Sequence, residues 1–399
     1  MRCRGGLVGR RGTLCEAPPV TSKERVKAAL DHREPDRVPI GEFAVDHDTV
    51  ERVLGRPTFW RAHFATTRAL WDGRRDDVVS SMKRDLVDLT LAMGYDMVPV
   101  CLVPSADKPA VPMRRTGENE WRDEWGNVFQ YSTASEWLVQ VHHVNETRDF
   151  TVDDFAYVKA DEPDDSELEL VRYVVERLGG THYIFARSGD GSIVLPGGMV
   201  RGLMMMVEEP EIVRAAIDSA TQRAVDLDAV FAREGVDGVC PAADYAMETG
   251  PMMSPRVFHD LCFPALARHA EAAHRMGLDL LKHACGNNWA ILDDFRRAGC
   301  DAYQSIQGRA GMDIRRLKEL YGSSMTLWGG VQTEHLLAAA PDDVRADVMY
   351  AIRHAAEGGG FILGSSHSVA VGTKYENYLA MFDALREFGS YPIDPDRFD

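Results

Sequence analysis

The sequence predicts an α/β protein of the (β/α)8 TIM-barrel class. Short apolar strands alternate with amphipathic helices along most of the 399 residues. Adding the strands gives eight, the number that closes this barrel. Glycines and prolines stand at many of the helix boundaries, where they favour the ends and starts of helices. These observations together predict one large barrel.

The predicted strands are short and rich in apolar side chains. The first follows a helix that begins at a capping box formed by Thr21 and Glu24. The eight predicted strands span residues 38–40, 97–103, 182–187, 236–240, 278–283, 300–304, 324–328 and 360–364.

Helical periodicity accounts for most of the chain between these strands. The predicted helices span residues 21–32, 46–94, 165–179, 209–234, 255–276, 288–298, 313–321, 341–357 and 374–388. Residues 109–146 instead alternate apolar and polar side chains between glycine-containing turns. We therefore expect an antiparallel hairpin insertion after strand two, covering one end of the barrel.

The N-terminal residues differ from the rest of the chain. Residues 1–20 contain four arginines and several glycines but no apolar core region. A secretory signal requires such a region, so we expect a disordered tail here. The barrel domain is then expected to span residues 21–399.

Composition excludes several classes of partner. The formal net charge of −17 argues against nucleic acid and anionic membranes, which attract basic surfaces. Seven scattered cysteines indicate reduced thiols and a cytoplasmic location, because an odd number does not form a complete disulfide framework. A small molecule or another protein remains as the partner.

The end of the fifth predicted strand carries two candidate metal ligands. His283 and Cys285 lie two residues apart, so in an extended chain both side chains point to the same face. Imidazole and thiolate suit Zn²⁺, and active sites of these barrels lie at the C-terminal ends of strands. The alternative is a half-buried histidine beside an inert core cysteine.

Other polar residues follow other predicted strands. His367, after strand eight, is a candidate third ligand, although a histidine in a Ser/Gly-rich loop is often only a hydrogen-bonded loop residue. Glu42 and Asp244 are candidate catalytic carboxylates that orient substrate or move a proton, with a solvated rim or a helix N-cap as the alternative. The candidates for binding substrate are Arg187, Tyr245, Asn287, Gln304 and Gln307.

Several segments resemble the uroporphyrinogen decarboxylase superfamily. They include residues 21–26 and 34–39, the stretch Leu281-Lys282-His283-Ala284-Cys285-Gly286-Asn287, residues 328–331 and residues 359–363. The resemblance extends over about residues 21–388 and implies a (β/α)8 barrel. One branch of the superfamily decarboxylates uroporphyrinogen without a metal. The other branch resembles zinc methyltransferases that move a methyl group between a corrinoid protein and a thiol, and its mark is the His-x-Cys pair.

Two departures from the superfamily bear on function. The decarboxylases carry an arginine-rich segment after strand one, whereas residues 41–47 of this chain are acidic and would repel an anionic porphyrinogen. The zinc branch takes its third ligand from a cysteine near strand eight, where this chain offers His367.

The sequence therefore predicts a zinc-dependent methyltransferase with a corrinoid protein as partner and a thiol or other small acceptor. Zn²⁺ would be held by His283, Cys285 and His367. One alternative is a metal-free decarboxylase, in which Asp244 stabilises a protonated intermediate and Arg187 and Lys282 supply the cations. A second alternative is a non-catalytic module that binds a corrinoid protein.

Overall fold

The computed structural model describes residues 19–145 and 147–398, so the predicted N-terminal tail lies almost entirely outside the described residues. The strands of the described chain are β1 (Met97–Val100), β2 (Arg114–Arg115), β3 (Glu120–Arg122), β4 (Val128–Tyr131), β5 (Leu138–His142), β6 (Tyr183–Ala186), β7 (Gly238–Val239), β8 (Ala246–Met247), β9 (Gly250–Pro251), β10 (Asp279–His283), β11 (Ala302–Gln304), β12 (Thr326–Val331) and β13 (Phe361–Ser365). Seven parallel strands form one sheet in the order β1-β6-β7-β10-β11-β12-β13.

The predicted first strand, residues 38–40, is not a regular strand in the structure. Ile40 forms an isolated parallel bridge with Leu363 of β13, and its carbonyl oxygen accepts a hydrogen bond from the N–H of Asp96 beside β1. Pro39 lacks an N–H group, so this segment cannot form a continuous ladder. The segment nevertheless contacts both edges of the seven-stranded sheet, at the place predicted for an eighth strand.

The helices lie mainly between successive strands of the parallel sheet. The capping box at Thr21 and Glu24 is confirmed. The α-helices of the described chain are α1 (Ser22–Leu30), α2 (His47–Leu54), α3 (His63–Trp71), α4 (Arg75–Met93), α5 (Glu169–Leu178), α6 (Met199–Glu208), α7 (Pro210–Glu234), α8 (Pro255–Val257), α9 (Phe263–Arg275), α10 (Leu292–Ala298), α11 (Ile314–Tyr321), α12 (Thr333–Ala338), α13 (Pro341–Ala355) and α14 (Tyr375–Phe388).

Two of the predicted helices are interrupted. The predicted helix 46–94 is three helices, because Gly55 and Gly73 adopt positive φ angles of 66° and 72°, which end α2 and separate α3 from α4. The predicted helix 255–276 contains a π-helical turn at Phe258–Cys262 between α8 and α9. The sequence pattern did not predict α6 or α12.

The predicted hairpin region contains more strands than expected. Residues 114–142 form an antiparallel sheet of four strands in the order β2-β3-β4-β5. Its aromatic side chains pack on α3, where the ring of Phe64 contacts the rings of Trp121 and Tyr131. The alternating pattern therefore indicated antiparallel pairing correctly but not the number of strands.

The apolar side chains of the parallel sheet form two buried clusters. Leu281 and Ile362 belong to a small cluster, whereas their sequence neighbours Leu280 and Leu363 belong to a larger one. Because side chains alternate along a strand, the small cluster lies on one face of the sheet and the larger cluster lies under the helices. Among the described residues, no helix has the length and apolarity needed to cross a membrane.

Candidate metal centre

Three potential metal ligands meet at the carboxyl end of the parallel sheet, which we call the mouth. His283 is the last residue of β10, Cys285 follows two residues later, and His367 lies in the loop after β13. One ligand atom from each residue lies within 4.8 Å of the other two. His283 is buried, whereas Cys285 and His367 are half-buried. The structure thus brings together the three residues predicted as ligands, here called the donor group.

The imidazole of His283 is held on two sides. Its Nδ1 hydrogen-bonds to Oε1 of Gln304, the last residue of the neighbouring strand β11. Its ring stacks on Phe43, with centroids 4.2 Å apart and planes at 11°. Since an amide oxygen only accepts hydrogen bonds, Nδ1 carries the proton and Nε2 keeps the lone pair that a metal requires. Burial lowers the pKa of His283 below its ordinary value, so the ring is neutral near pH 7.

The loop that carries Cys285 is fixed by hydrogen bonds to its backbone. The N–H of Cys285 donates to Oδ1 of Asp244 over 3.1 Å, and the N–H of Gly286 donates to Oε1 of Gln307 over 2.6 Å. Gly286 has a φ of 83°, and a Cβ atom there would lie 2.5 Å from the carbonyl oxygen of Ala246. Only glycine therefore fits this turn.

The carboxylate of Asp244 lies beside Cys285 and places a negative charge next to the donor group. Burial and the negative charge of Asp244 raise the pKa of Cys285 to about 12. Burial acts to raise the pKa of Asp244 as well, but hydrogen bonds from the side chain and N–H of Cys285 lower it below its ordinary value. At neutral pH the thiol is therefore protonated unless a cation lies beside its sulfur.

His367 completes the donor group from the loop after β13. Its ring lies edge-on to that of His283, with centroids 5.5 Å apart and an interplanar angle of 73°. Burial lowers the pKa of His367. Both imidazoles are therefore neutral, which is the form that binds metal ions.

The donor group fits a zinc ion. Zinc binds imidazole nitrogen and thiolate sulfur tetrahedrally at about 2.0–2.3 Å, which places ligand atoms roughly 3.5 Å apart. The three donor atoms lie within 4.8 Å of one another, a separation comparable to that in such a site. A divalent cation would also supply the positive charge that the Cys285 thiolate lacks. Three protein ligands leave one tetrahedral position for a small molecule.

Comparison with known proteins identifies the family. The profile described as Uroporphyrinogen decarboxylase (URO-D) matches residues 148–388, a range that contains the whole donor group. The chain belongs to the uroporphyrinogen decarboxylase family. The resemblance seen in the sequence motifs is thereby confirmed.

Two known proteins are similar to this chain, one in sequence and one in fold. A uroporphyrinogen decarboxylase from Anaeromyxobacter dehalogenans (strain 2CP-C) is 28% identical over 192 residues. This alignment covers 48% of the present chain and 53% of the relative, so the chain matches about half the relative's length. A methyltransferase from Methanosarcina mazei superposes with a TM-score of 0.67 at 21% sequence identity, covering 92% of this chain and 99% of that chain. At this identity the superposition shows a shared fold.

Glu42 of this uroporphyrinogen decarboxylase family member lies in a buried position. Its carboxylate accepts a hydrogen bond from the N–H of Ser365 at 3.1 Å. Its side chain lines a small space together with Trp60, Tyr95 and Met97. Burial raises the pKa of Glu42 to about 8. These contacts support the strand that leads to His367, and the predicted contact of Glu42 with substrate stays a prediction.

Tyr245 and Lys282 are held in the interior of the protein. The ring of Tyr245 is fully buried against Phe258, and its hydroxyl hydrogen-bonds to Ser192. Its contacts therefore leave no exposed surface for the predicted binding of substrate. Lys282, a cation considered for decarboxylation, forms a fully buried ion pair with Asp190. Its charge is neutralised inside the protein.

The remaining predicted residues lie around the mouth in different positions. Gln304 is fully buried and supports His283, while half-buried Gln307 supports the Cys285 loop. The binding of substrate by these two residues stays a prediction. Asn287 is half-buried and its N–H donates to a backbone carbonyl. Arg187 follows β6, and its guanidinium carbon lies 4.6 Å from the ring centroid of Phe43.

Phe43 and Ser365 are mouth residues that were not predicted from the sequence. Phe43 contacts both His283 and Arg187. Ser365 donates hydrogen bonds to Glu42 and accepts one from Nε2 of Gln304 at 3.3 Å. Both residues adjoin residues that were already of interest, so inspection of the neighbours of predicted mouth residues could have found them.

Proposed function

We propose that this protein is a zinc-dependent methyltransferase that transfers a methyl group between a corrinoid protein and a thiol or other small acceptor. The observation that carries this proposal is the convergence of His283, Cys285 and His367 at the mouth. The structural neighbour from Methanosarcina mazei, which is named a methyltransferase, supports it. A metal-free decarboxylation would not require this donor group.

In this proposal, the polar contacts around the donor group orient its ligand atoms towards the metal. Gln304 fixes the orientation and tautomer of His283, so that Nε2 faces the metal position. Asp244 and Gln307 fix the turn that presents the sulfur of Cys285. When bound, zinc would lower the pKa of a thiol in its open position and so supply a nucleophile at neutral pH.

Metal analysis tests the proposed zinc site. Protein purified without added zinc is expected to contain about one zinc per chain, as the one donor group among the described residues predicts. His283→Ala and Cys285→Ser are each expected to remove most of this metal. Cys101→Ser is the matched control, because Cys101 is also half-buried but lies outside the donor group. Substoichiometric zinc that neither ligand substitution changes would disprove the site.

A turnover assay tests the proposed reaction. Methylcobalamin serves as the methyl donor and 2-mercaptoethanol as the acceptor, and the loss of methylcobalamin is followed by absorbance. The wild type and Cys101→Ser should produce the methyl thioether, whereas His283→Ala should be slower by at least about tenfold, because the metal no longer activates the thiol. Corrinoid binding without methyl transfer would instead indicate a non-catalytic binding module.

The second candidate function is decarboxylation of a porphyrinogen or another carboxylate substrate. The family profile and the name of the relative from Anaeromyxobacter dehalogenans favour it. The buried ion pair of Lys282 with Asp190 weighs against it, since one of the two cations considered for the substrate carboxylates is already neutralised. Incubation with uroporphyrinogen followed by mass spectrometry distinguishes the candidates, because successive losses of carbon dioxide would favour the decarboxylase.

A further inference from the structure

We infer that Lys282 is a positioning residue of the donor group. Its buried ammonium group holds the main chain that carries His283 and Cys285, and so sets the affinity and the geometry of metal binding. Asp190 holds the ammonium group in place. This inference rests on the function proposed above, because it concerns the same metal position. The contacts of Lys282 with two loops of the mouth support it.

Lys282 lies at a position where an apolar side chain is expected. Because neighbouring residues of a strand face opposite sides, Lys282 lies on the same side of β10 as Leu280, which belongs to the larger buried cluster. The side chain of Lys282 has no exposed surface, and its Nζ lies 4.7 Å from the centroid of the Tyr245 ring. Burying a charge is costly even when it is paired. A methionine could fill the same space, so packing alone does not explain the lysine.

The ammonium group of Lys282 has an acceptor for each of its three N–H donors. One acceptor is Oδ2 of Asp190, in the loop after β6. The second is the carbonyl oxygen of His283 at 2.8 Å. The third is the carbonyl oxygen of Ala243, in the loop after β7, at 3.4 Å. Lys282 therefore joins two loops of the mouth to the end of β10.

The hydrogen bond to the carbonyl oxygen of His283 acts on both ligands of β10. This carbonyl belongs to the planar peptide group between His283 and Ala284, and its direction determines where the chain continues to Cys285. The same oxygen accepts a hydrogen bond from the N–H of Ala243 at 3.3 Å, so two donors hold it. Because His283 and Cys285 are two residues apart, fixing this peptide group restricts the distance between the imidazole and the sulfur.

The contact with Ala243 reaches Cys285 by a second route. Ala243 directly precedes Asp244, whose carboxylate accepts a hydrogen bond from the N–H of Cys285. Lys282 thus holds the segment that carries Asp244 as well as the strand that carries His283. Loss of the ammonium group is expected to loosen the main chain on both sides of the metal position.

Asp190 is itself fixed in the interior. Its carboxylate accepts a hydrogen bond from the N–H of Ser192 at 2.9 Å and one from the hydroxyl of the same residue. The hydroxyl of Tyr245 lies 3.5 Å from Oδ2 of Asp190. The ammonium group of Lys282 therefore cannot move without breaking several hydrogen bonds.

Zinc affinity, measured by competition with a chromophoric chelator, tests the inference. The double variant Lys282→Met/Asp190→Leu removes the ammonium group without leaving a buried charge unpaired, and it retains all three ligands. We expect it to bind zinc about 10- to 100-fold more weakly than the wild type, the effect typical of losing a group that orients a ligand.

The matched control is Asp228→Leu/His269→Leu, which removes another fully buried pair. Nε2 of His269 lies 2.6 Å from Oδ2 of Asp228, and neither side chain is exposed. This pair joins α7 to α9. Both double variants are expected to lose stability, but only the one that lacks Lys282 should lose zinc affinity. Equal zinc affinities in the two double variants would overturn the inference.

Cobalt substitution gives a readout that a purely structural role would not change. Zinc has a full d shell and no visible absorption, whereas the visible bands of bound Co²⁺ report the geometry of its ligands. These bands should shift in Lys282→Met/Asp190→Leu and should match the wild type in the control. Unchanged bands in both double variants would likewise contradict a positioning role.

A milder variant covers the case in which Lys282→Met/Asp190→Leu does not fold. Asp190→Asn keeps the size of the side chain but removes the charge that holds the ammonium group. It should weaken zinc binding several-fold in the same assay. An affinity equal to that of the wild type would count against the inference.

Amide hydrogen exchange on the metal-free protein separates this inference from the proposed function. In Lys282→Met/Asp190→Leu the N–H groups of residues 284–286 should exchange faster than in the wild type, whereas the control should leave them unchanged. If the wild type binds no zinc, the proposed methyltransferase fails. The exchange rates then still decide whether Lys282 holds this segment, and equal rates in all three proteins would show that it does not.

Discussion

Nδ1 of His283 donates a hydrogen bond to the side-chain oxygen of Gln304, which lies at the end of the adjacent strand. The amide of Gln304 in turn donates to the carbonyl oxygen of Ser365 on β13. This connection fixes the imidazole of His283 relative to the strand that leads to His367. Two donors from distant parts of the sequence are thereby held in one rigid arrangement.

Replacing Gln304 should weaken metal binding while leaving the ligands in place. Gln304→Met removes the acceptor that selects the His283 tautomer, and loss of such a partner typically lowers metal affinity by about 10- to 100-fold. Zinc affinity measured by competition with a chromophoric chelator checks this. Gln130→Met, at an exposed position on β4, is the control. Equal affinities in all three proteins would contradict the prediction.

Glu42 should make stability depend on pH. Burial raises its pKa from 4.5 to about 8 in the folded protein, so the folded state favours the neutral carboxyl. The resulting contribution of Glu42 to the free energy of unfolding is fully present below pH 4.5 and is lost as the pH rises through 8. The loss is about 1.4 kcal/mol for each unit by which folding shifts the pKa. Glu42→Gln should match the wild type near pH 4.5 and unfold at a higher temperature near pH 8.

The control for this prediction is Glu124→Gln, which changes an exposed carboxylate. Its Tm difference from the wild type should stay nearly constant between pH 4.5 and 8. If Glu42→Gln behaves in the same way, Glu42 is charged in the folded protein at neutral pH, contrary to the prediction.

The buried ion pair between Lys282 and Asp190 should be essential to stability. Lys282→Met leaves a buried carboxylate unpaired and should reduce the free energy of unfolding by about 3–5 kcal/mol. The double variant Lys282→Met/Asp190→Leu should lose less, because no isolated charge remains. Urea unfolding provides the measurement.

An exposed ion pair serves as the comparison. Arg256 and Asp260 are separated by 3.6 Å, with side chains 91% and 53% exposed. Arg256→Met should change the free energy of unfolding by less than about 1 kcal/mol. If Lys282→Met has the same free energy of unfolding as Arg256→Met, Lys282 is not a charged residue in the interior.

Trp137 should attach the four-stranded antiparallel sheet to α3. Its ring packs on His63, with centroids 4.4 Å apart, and the carbonyl oxygen of the preceding Glu136 accepts a hydrogen bond from the N–H of Phe64. Trp137→Ala should increase amide hydrogen exchange in residues 132–137 and 59–64, because this contact is lost. Trp125→Ala, at a position that is 72% exposed, should not. Unchanged exchange in both variants would rule out this attachment.

The family and the general order of strands and helices could be read from the sequence, because both depend on local patterns. Three leucines within residues 278–281 indicated a short buried strand, Gly286 follows soon after it, and His283 and Cys285 share a face through the two-residue period. The alternation of apolar and polar side chains likewise indicated antiparallel strands within residues 109–146. The single long helix predicted over residues 46–94 failed because the effect of Gly55 and Gly73 depends on their backbone angles.

Only the tertiary structure decided which side chains meet. His367 joins His283 and Cys285 because the loops after β10 and β13 converge at the mouth. No local sequence period encodes the distance between these two loops. The same packing turns Tyr245 into the core and neutralises Lys282 with Asp190, while it leaves Nε of Arg187 without a hydrogen-bond partner in the described chain. The sequence by itself determined most of the elements and the spacing of His283 and Cys285, and it offered His367 as a candidate, whereas long-range packing determined that His367 meets them and which charges surround the three.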